Sequence, residues 1–471
     1  MTSTPKNAAP HSPAGLLHAR SWQVAMIGLG TAATQLDTSV NIAFPAITRG
    51  FGLSIGDIQW VVISYVLTYA SLLLALGRIG DTAGHALVFR IGLIWSTVAL
   101  LLVGWSPGFG AMLAFRCLQG IGAALVLSCG AALVISLYGE QRRSHALGLY
   151  TMMLSVGLML GPLVGGALTS AFDWPSVFWF RIPIAVAALL LLRGMRAPPQ
   201  RQAGDRLDVP GGGALVLGLV TMLLALNRMR ELSAVWFALL SVAAFAAFIF
   251  RESRAARPII AIEILKDPGF ALLNLVSVLL NLAAFSVWLL VPYFLARVPG
   301  YSLTESGAIL ATAAAGAALA APIGGRLAGG HISARRLAIA GAAANGIGLL
   351  LLGAWTEQTP TTLRIAALVV QGVGLGLFQP AYSDIVTAAL PLRDRGVAGS
   401  LVLLTRTLGT VTSASVVLMV FEILNTTYGF VEGFQKTFQL AALLAFAAAG
   451  ASAFSPRRNP SWNCDKPNSE T

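Results

Sequence analysis

Asp37 is an ionisable residue set inside an apolar run that reaches from Trp22 to Ile47. A charge in hydrocarbon costs several kcal/mol, so such residues face a protein interior or a wet cavity and tend to carry function. Thr34, Asp37, Thr38 and Asn41 fall at three- and four-residue spacings, which puts them on one helical face. The first helix would then turn a polar stripe inward and leave Val24, Ile27 and Val40 for lipid or neighbours. The competing account is a structural aspartate satisfied by its surroundings.

Arg116 lies within another apolar segment, in Leu113-Ala-Phe-Arg116-Cys-Leu-Gln119-Gly-Ile-Gly122. Counting 1.5 Å per residue, it sits about 9 Å from one end of its helix, and Asp37 about 15 Å from the matching end of the first. The depths are comparable, so contact between them, direct or through water, is geometrically open. A guanidinium favours the charged carboxylate and desolvation disfavours it; a site balanced between the two can load and release a proton. An arginine satisfied by backbone carbonyls is the alternative.

Gly157, Gly161 and Gly165 recur every four residues around Gly161-Pro162 and Gly165-Gly166. That spacing gives a smooth helix face for close approach, and Pro162 removes one backbone bond and invites a kink. Such a helix suits a moving interface, although plain packing also uses glycine stripes. Residues 77–85, with Arg78, read as a tight loop whose glycines, Gly84 among them, allow the reversal, and Asp81 can cap the next helix or pair with a nearby arginine. A gate and a simple turn are both compatible with it.

Tyr65, Tyr69, Phe285, Trp288, Tyr293 and Phe378 could line an aromatic, adaptable pocket. Asn41, Gln371, Gln379 and Tyr382 are polar candidates for the same wall, each also compatible with ordinary packing. Arg406 lies mid-helix beside Thr405 and Thr407 and could touch an anion, or Asp37 across a cavity. Asp384 is expected to pair with Arg393 or Arg395. Gly28-x-Gly30-x-x-Ala33 begins inside a span with no preceding strand, so it is not a dinucleotide loop.

The elements that position these groups follow from hydropathy. The chain is 56% hydrophobic and 11% charged, with mean hydropathy +0.77. Soluble domains are about a quarter charged, so this is a polytopic membrane protein. A net charge of +12 would point a soluble protein toward nucleic acid, but here the positions of the charges argue otherwise. Cys117, Cys129 and Cys464 form neither a disulfide framework nor a metal site. The first 21 residues are polar and lack a cleavable signal pattern.

At about 20 apolar residues per span, 14 helices are expected: 22–47, 58–77, 87–105, 110–136, 145–171, 175–192, 212–227, 232–250, 269–295, 305–328, 336–355, 364–389, 397–421 and 434–454. Of the 31 Lys and Arg, 22 fall in alternate segments counted as inside and 7 in those counted as outside. Only Arg116 and Arg406 remain within helices. The basic excess predicts both termini cytoplasmic.

Internal repetition completes the architecture. Gln119-Gly-Ile-Gly122 recurs as Gln371-Gly-Val-Gly374, residues 146–157 align with 398–409, and Gly77-Arg78-Ile79 recurs as Gly325-Arg326-Leu327. Two parallel six-helix halves, 22–192 and 269–454, would flank a linker (193–268) carrying two inserted helices, with tails 1–21 and 455–471.

The stretches LDTSVNIAFP, QWVVISYVL, GRIGDTAG, RCLQGIGAA, GLMLGPLVGG and DWPSVFWFRIPI resemble successive signatures of the 14-helix drug–proton antiporters of the major facilitator superfamily. The resemblance covers most of the chain and is strongest over residues 36–184. It implies that Asp37 is a coupling carboxylate, Arg116 its relay partner and Asp81 part of an inner gate. The motif at 157–166 is the one associated there with antiport. Two departures stand out: His85-Ala86-Leu87 follow Gly84 where basic residues are usual, and Arg181 stands where the family commonly has Asn. The inner gate could rely instead on Arg78, or on Arg142 and Arg143 reaching Asp81.

The expected function is proton-coupled efflux of amphipathic small molecules across the cytoplasmic membrane, by a monomer working through alternating access. No phosphate-binding loop occurs, and no cofactor beyond the coupling proton is called for. The rivals are a dedicated exporter of one metabolite or antibiotic, and a transporter-shaped membrane sensor. No nucleophile–base or metal-ligand cluster supports an enzyme.

Overall fold

Lipid offers no hydrogen bonds, so a chain crossing it must satisfy its backbone internally, and helices do so segment by segment. The computed structural model describes residues 13–138, 143–192, 209–227, 232–252, 267–328, 332–389 and 395–454. Among these every span is helical. The helices are α1 (Pro13–Gln35), α2 (Ser39–Phe51), α3 (Gln59–Ala83), α4 (His85–Gly104), α5 (Phe109–Tyr138), α6 (Arg143–Phe172), α7 (Ser176–Trp179) and α8 (Arg181–Leu191). The inserted pair is α9 (Val209–Asn227) and α10 (Ser233–Glu252). Then come α11 (Pro268–Leu295), α12 (Leu303–Ala328), α13 (Ala334–Leu352), α14 (Thr361–Ala389), α15 (Arg395–Tyr428) and α16 (Phe430–Phe454). Counting α1–α2 and α7–α8 as one span each leaves 14. Among the described residues, eleven helical segments are long and apolar enough, by length and composition, to cross a membrane.

The lipid-facing surface follows helical spacing. On α4, Leu87, Ile91, Ile94, Val98 and Leu101 are exposed, while Phe89, Leu93, Leu100 and Val103 are buried. With no hydrophobic drive between helices in lipid, close approach falls to small residues. A β-carbon on Gly376 of α14 would come within 2.9 Å of Ala317 Cα on α12. Val24, Ile27 and Val40 are buried against neighbours, not presented to lipid.

Two boundaries differ from expectation. The first span is not one helix: a 3₁₀ turn, Leu36–Thr38, separates α1 from α2. Residues 77–83 also continue α3, so Asp81 sits in a helix and does not cap α4, whose start has Gly84 and no side-chain cap. Gly84 alone makes the reversal, at φ 96°, and Gly429 does the same between α15 and α16 at φ 81°. Hydropathy marks where apolar residues stop, whereas a helix continues through polar residues beyond the membrane.

The repeat is visible in the packing. A β-carbon on Gly157 would lie 3.0 Å from Gln35 Cβ, and one on Gly409 would lie 2.6 Å from Asn281 Cβ. The paired glycines thus seat the first helix of each half in the same way. Between the halves, Gly166 of α6 and Gly307 of α12 face each other, 3.2 Å from a built β-carbon to Cα. Thr48 and Tyr293 hydrogen-bond across the same end of the bundle at 2.6 Å. The inserted α9 leans on α3 and α15, at the seam of the halves, and α10 packs on α9.

Gly165 tests the α2–α6 approach. A β-carbon there would sit 2.7 Å from Ser39 O and 2.8 Å from its Cα, both backbone atoms. Gly165→Val should cost about 1–3 kcal/mol and lower the thermal unfolding midpoint in detergent. Leu160→Val, on a partly exposed position of the same helix, should not; a Gly165→Val midpoint equal to the parent's would contradict the contact.

Candidate functional site

Asp37 occupies the middle of the 3₁₀ turn, with 14% of its side chain exposed. Arg116 of α5 grips its carboxylate with two parallel bonds: Nη1 donates to Oδ1 at 2.7 Å and Nη2 to Oδ2 at 3.0 Å. Gln119, one turn on, donates from Nε2 to Oδ1 at 2.9 Å and accepts from Arg116 Nη1 at 2.8 Å. Arg116 Nε donates to the Val61 carbonyl at 3.0 Å, and the guanidinium lies 4.4 Å over the Tyr65 ring. The contact that sequence left open is therefore direct and bidentate.

Sequence reasoning missed the third partner. Arg181, at the first position of α8, donates from Nη1 to Asp37 Oδ1 at 2.9 Å and is 1% exposed. A corner at Asp173, with φ 64°, and the short α7 deliver it there. Two guanidiniums against one carboxylate leave the cluster with one net positive charge. Arg181 Nε and Nη2 find no hydrogen-bond partner among the described residues. Ser96 Oγ is likewise unpartnered, and Ser96 and Arg181 both border one small cavity of about 10 Å³. The signals available were Gln119 within its motif and the departure at Arg181.

A second cavity, of about 140 Å³, lies between the halves against Asp37. Thr34, Asp37, Thr38, Asn41, Tyr65 and Tyr69 form its wall on the first half. Phe285, Trp288, Asn281 and Arg406 face them from the second. Arg406 is exposed there, with no hydrogen bond or ion pair to another described residue. It does not touch Asp37, whose partners all come from the first half.

Five expected wall residues lie elsewhere: Tyr293 bonds Thr48 at the end of the bundle, Phe378 is fully buried and stacked on Tyr382, and three polar residues also lie off the cavity. Gln371 is buried on the far side of α14, where its carbonyl accepts from Asn345 and its backbone faces Gly348. Tyr382 is fully buried, donating to Asn274 Oδ1 at 2.8 Å and sharing a 3.0 Å bond with Thr405. Gln379 stands behind the wall and donates to Asn281 Oδ1 at 2.9 Å. Both tyrosine and glutamine tighten the second half and do not border the cavity. The side chains of Arg78, Asp81, Arg143 and Arg395, like Arg142 and Arg393 as a whole, lie outside the described residues.

The glycine helix connects to the acid. Gly157 and Gly161 lie against α1 and the turn, whereas Gly166 faces the other half. Pro162 has no N–H to offer the Leu158 carbonyl four residues earlier. Thr38 Oγ1 donates to that carbonyl at 3.2 Å, and to Gln35 O at 3.3 Å. The residue beside Asp37 thus answers the gap that the proline opens. Thr38→Val should cost about 1–3 kcal/mol by orphaning this carbonyl. In a Pro162→Ala background, where an N–H is restored, the loss should shrink. A thermal double-mutant cycle additive within about 0.5 kcal/mol would refute the link.

Comparison with known proteins bears on this arrangement. The family model described as Major Facilitator Superfamily matches residues 26–263 and 273–468. The chain is 26% identical to the riboflavin transporter RibZ of Clostridioides difficile, over 80% of this chain and 82% of that one. It is 27% identical to the multidrug resistance protein Stp of Mycobacterium tuberculosis, over 81% and 72% respectively. Its fold is similar to that of a solved POT family transporter in complex with 5-aminolevulinic acid, with TM-score 0.72 at 14% identity, covering 93% of this chain and 96% of that one. A match running through both halves makes this multi-pass chain a member of the major facilitator superfamily, a transporter and not an enzyme.

Proposed function

We propose that the protein is a proton-driven exporter of amphipathic small molecules, working as a monomer by alternating access across the cytoplasmic membrane. The halves 22–192 and 269–454 are the rocking bodies, 193–268 carries the inserted pair, and the tails 1–21 and 455–471 are cytoplasmic. The observation that carries this reading is Asp37, an acid at the cavity edge whose partners lie on two further helices. Protonation would remove the anion that answers Arg116 and Arg181 and loosen α5 and α8 from the turn. Thr38 would pass that change to α6, which meets the other half at Gly166.

The magnitudes are compatible. Stripping a buried charge of its partner costs about 3–5 kcal/mol. One proton entering through 100 mV and one pH unit supplies about 2.3 plus 1.4 kcal/mol. Gly84 and the residues around it, Arg78 and Asp81, are the proposed inner gate, opposite the Thr48–Tyr293 end. On the orientation set by Lys and Arg, that end is outside, so this conformation would receive cargo from the cytoplasm.

The relative named for multidrug resistance supports a broad cargo range. The relative named for riboflavin supports the second reading, a transporter dedicated to one metabolite. In everted vesicles, added substrate should drive proton movement, and a chemically diverse panel separates broad from dedicated transport. Asp37→Asn should abolish efflux driven by a pH gradient while exchange without a gradient persists. Gradient-coupled efflux retained by that variant would overturn the assignment of Asp37.

A further inference from the structure

The charge around the cavity bears on what enters it. Asp37 is the one acid bordering it among the described residues, and its carboxylate is already held by Arg116 and Arg181. On the opposite wall Arg406 is exposed and, among the described residues, unpaired, beside Phe285 and Trp288. The site therefore lacks a free anion and has a free cation. A guanidinium facing an apolar, aromatic enclosure is matched by a planar carboxylate or similar oxyanion on an apolar body. A cationic cargo would meet the reverse. At an effective dielectric of 20, a like charge about 8 Å away is disfavoured by roughly thirtyfold.

We infer that the cargo is an organic anion with an aromatic or otherwise apolar body, and that Arg406 is its charge-recognising contact. This rests on reading the central cavity as the cargo site and is independent of which ion drives transport. Arg406 replaces Leu154 in the internal alignment, so the first half offers no equivalent. The network of Asn274, Tyr382 and Thr405 behind the wall holds the helix that bears it.

Three probes share one body and differ only in charge: 4-phenylbutyrate, 4-phenylbutyramide and 4-phenylbutylammonium. Binding would be measured by saturation-transfer NMR on the full chain in lipid nanodiscs, with empty nanodiscs as blank. The carboxylate should bind about tenfold or more tighter than the amide. Arg406→Gln should erase that preference and leave amide binding unchanged, which also reports an intact fold. Arg406→Lys should keep most of the preference, an outcome that a purely structural role does not require. A wild-type preference for the ammonium, unaffected by Arg406→Gln, would overturn the charge assignment and leave the cavity reading standing. If none of the three binds, or if Trp288→Ala alters none of them, the cavity reading and this inference both fall.

Discussion

A mostly buried carboxylate at the cavity edge, shared by two guanidiniums, is the constraint around which this bundle is arranged. Charges removed from water are tolerated only when geometry and further hydrogen bonds satisfy them. Asp37 meets that condition with Arg116 in parallel double contact, Gln119 and Arg181. Each partner comes with its own demand: Arg116 needs the Val61 carbonyl and the Tyr65 face, and Arg181 needs the corner at Asp173. Satisfying one acid thus fixes how α3, α5 and α8 stand around the broken first span. The break itself lets a side chain project from mid-depth, since a 3₁₀ turn re-aims what a continuous helix would carry past.

The second half answers the same geometrical problem without charge. Gln35 and Asn281 occupy equivalent seats against Gly157 and Gly409. Two residues beyond Gln35 stands Asp37; two beyond Asn281 stands Ala283, fully buried. Amides and hydroxyls take over there, with Gln379 on Asn281 and Tyr382 on Asn274 and Thr405. Neutral hydrogen bonds of this kind hold helices together at about 1 kcal/mol each, with no counter-ion to lose. The halves are alike in backbone and unlike in electrostatics.

Much of this was legible from residues alone, for reasons that differ by position. Asp37 stood out because an acid in an apolar run needs a reason to be there, and Arg116 because it lay at the same depth. The 14 spans followed from hydropathy, yet their ends did not, because the stretch from Arg78 to Ala83, with Arg78, Asp81 and Thr82, is still helical. The turn at Leu36–Thr38 has neither proline nor glycine to announce it. Arg181 hid near a helix end, where arginines are common, and only the fold carries it to Asp37. Gln371 misled for the opposite reason: it matches Gln119 in the repeat, but the acid that gives Gln119 its task has no counterpart there.

Among the described residues, buried ion pairing is confined to the first half, which has a consequence for descent. With the six-helix unit present twice, a single copy suffices to keep the costly acid–arginine cluster. Its twin, freed from that duty, could accept substitutions at Phe285, Trp288 or Arg406 without disturbing it. Lineages can then diverge along the cavity wall while inheriting one unchanged acid–arginine cluster.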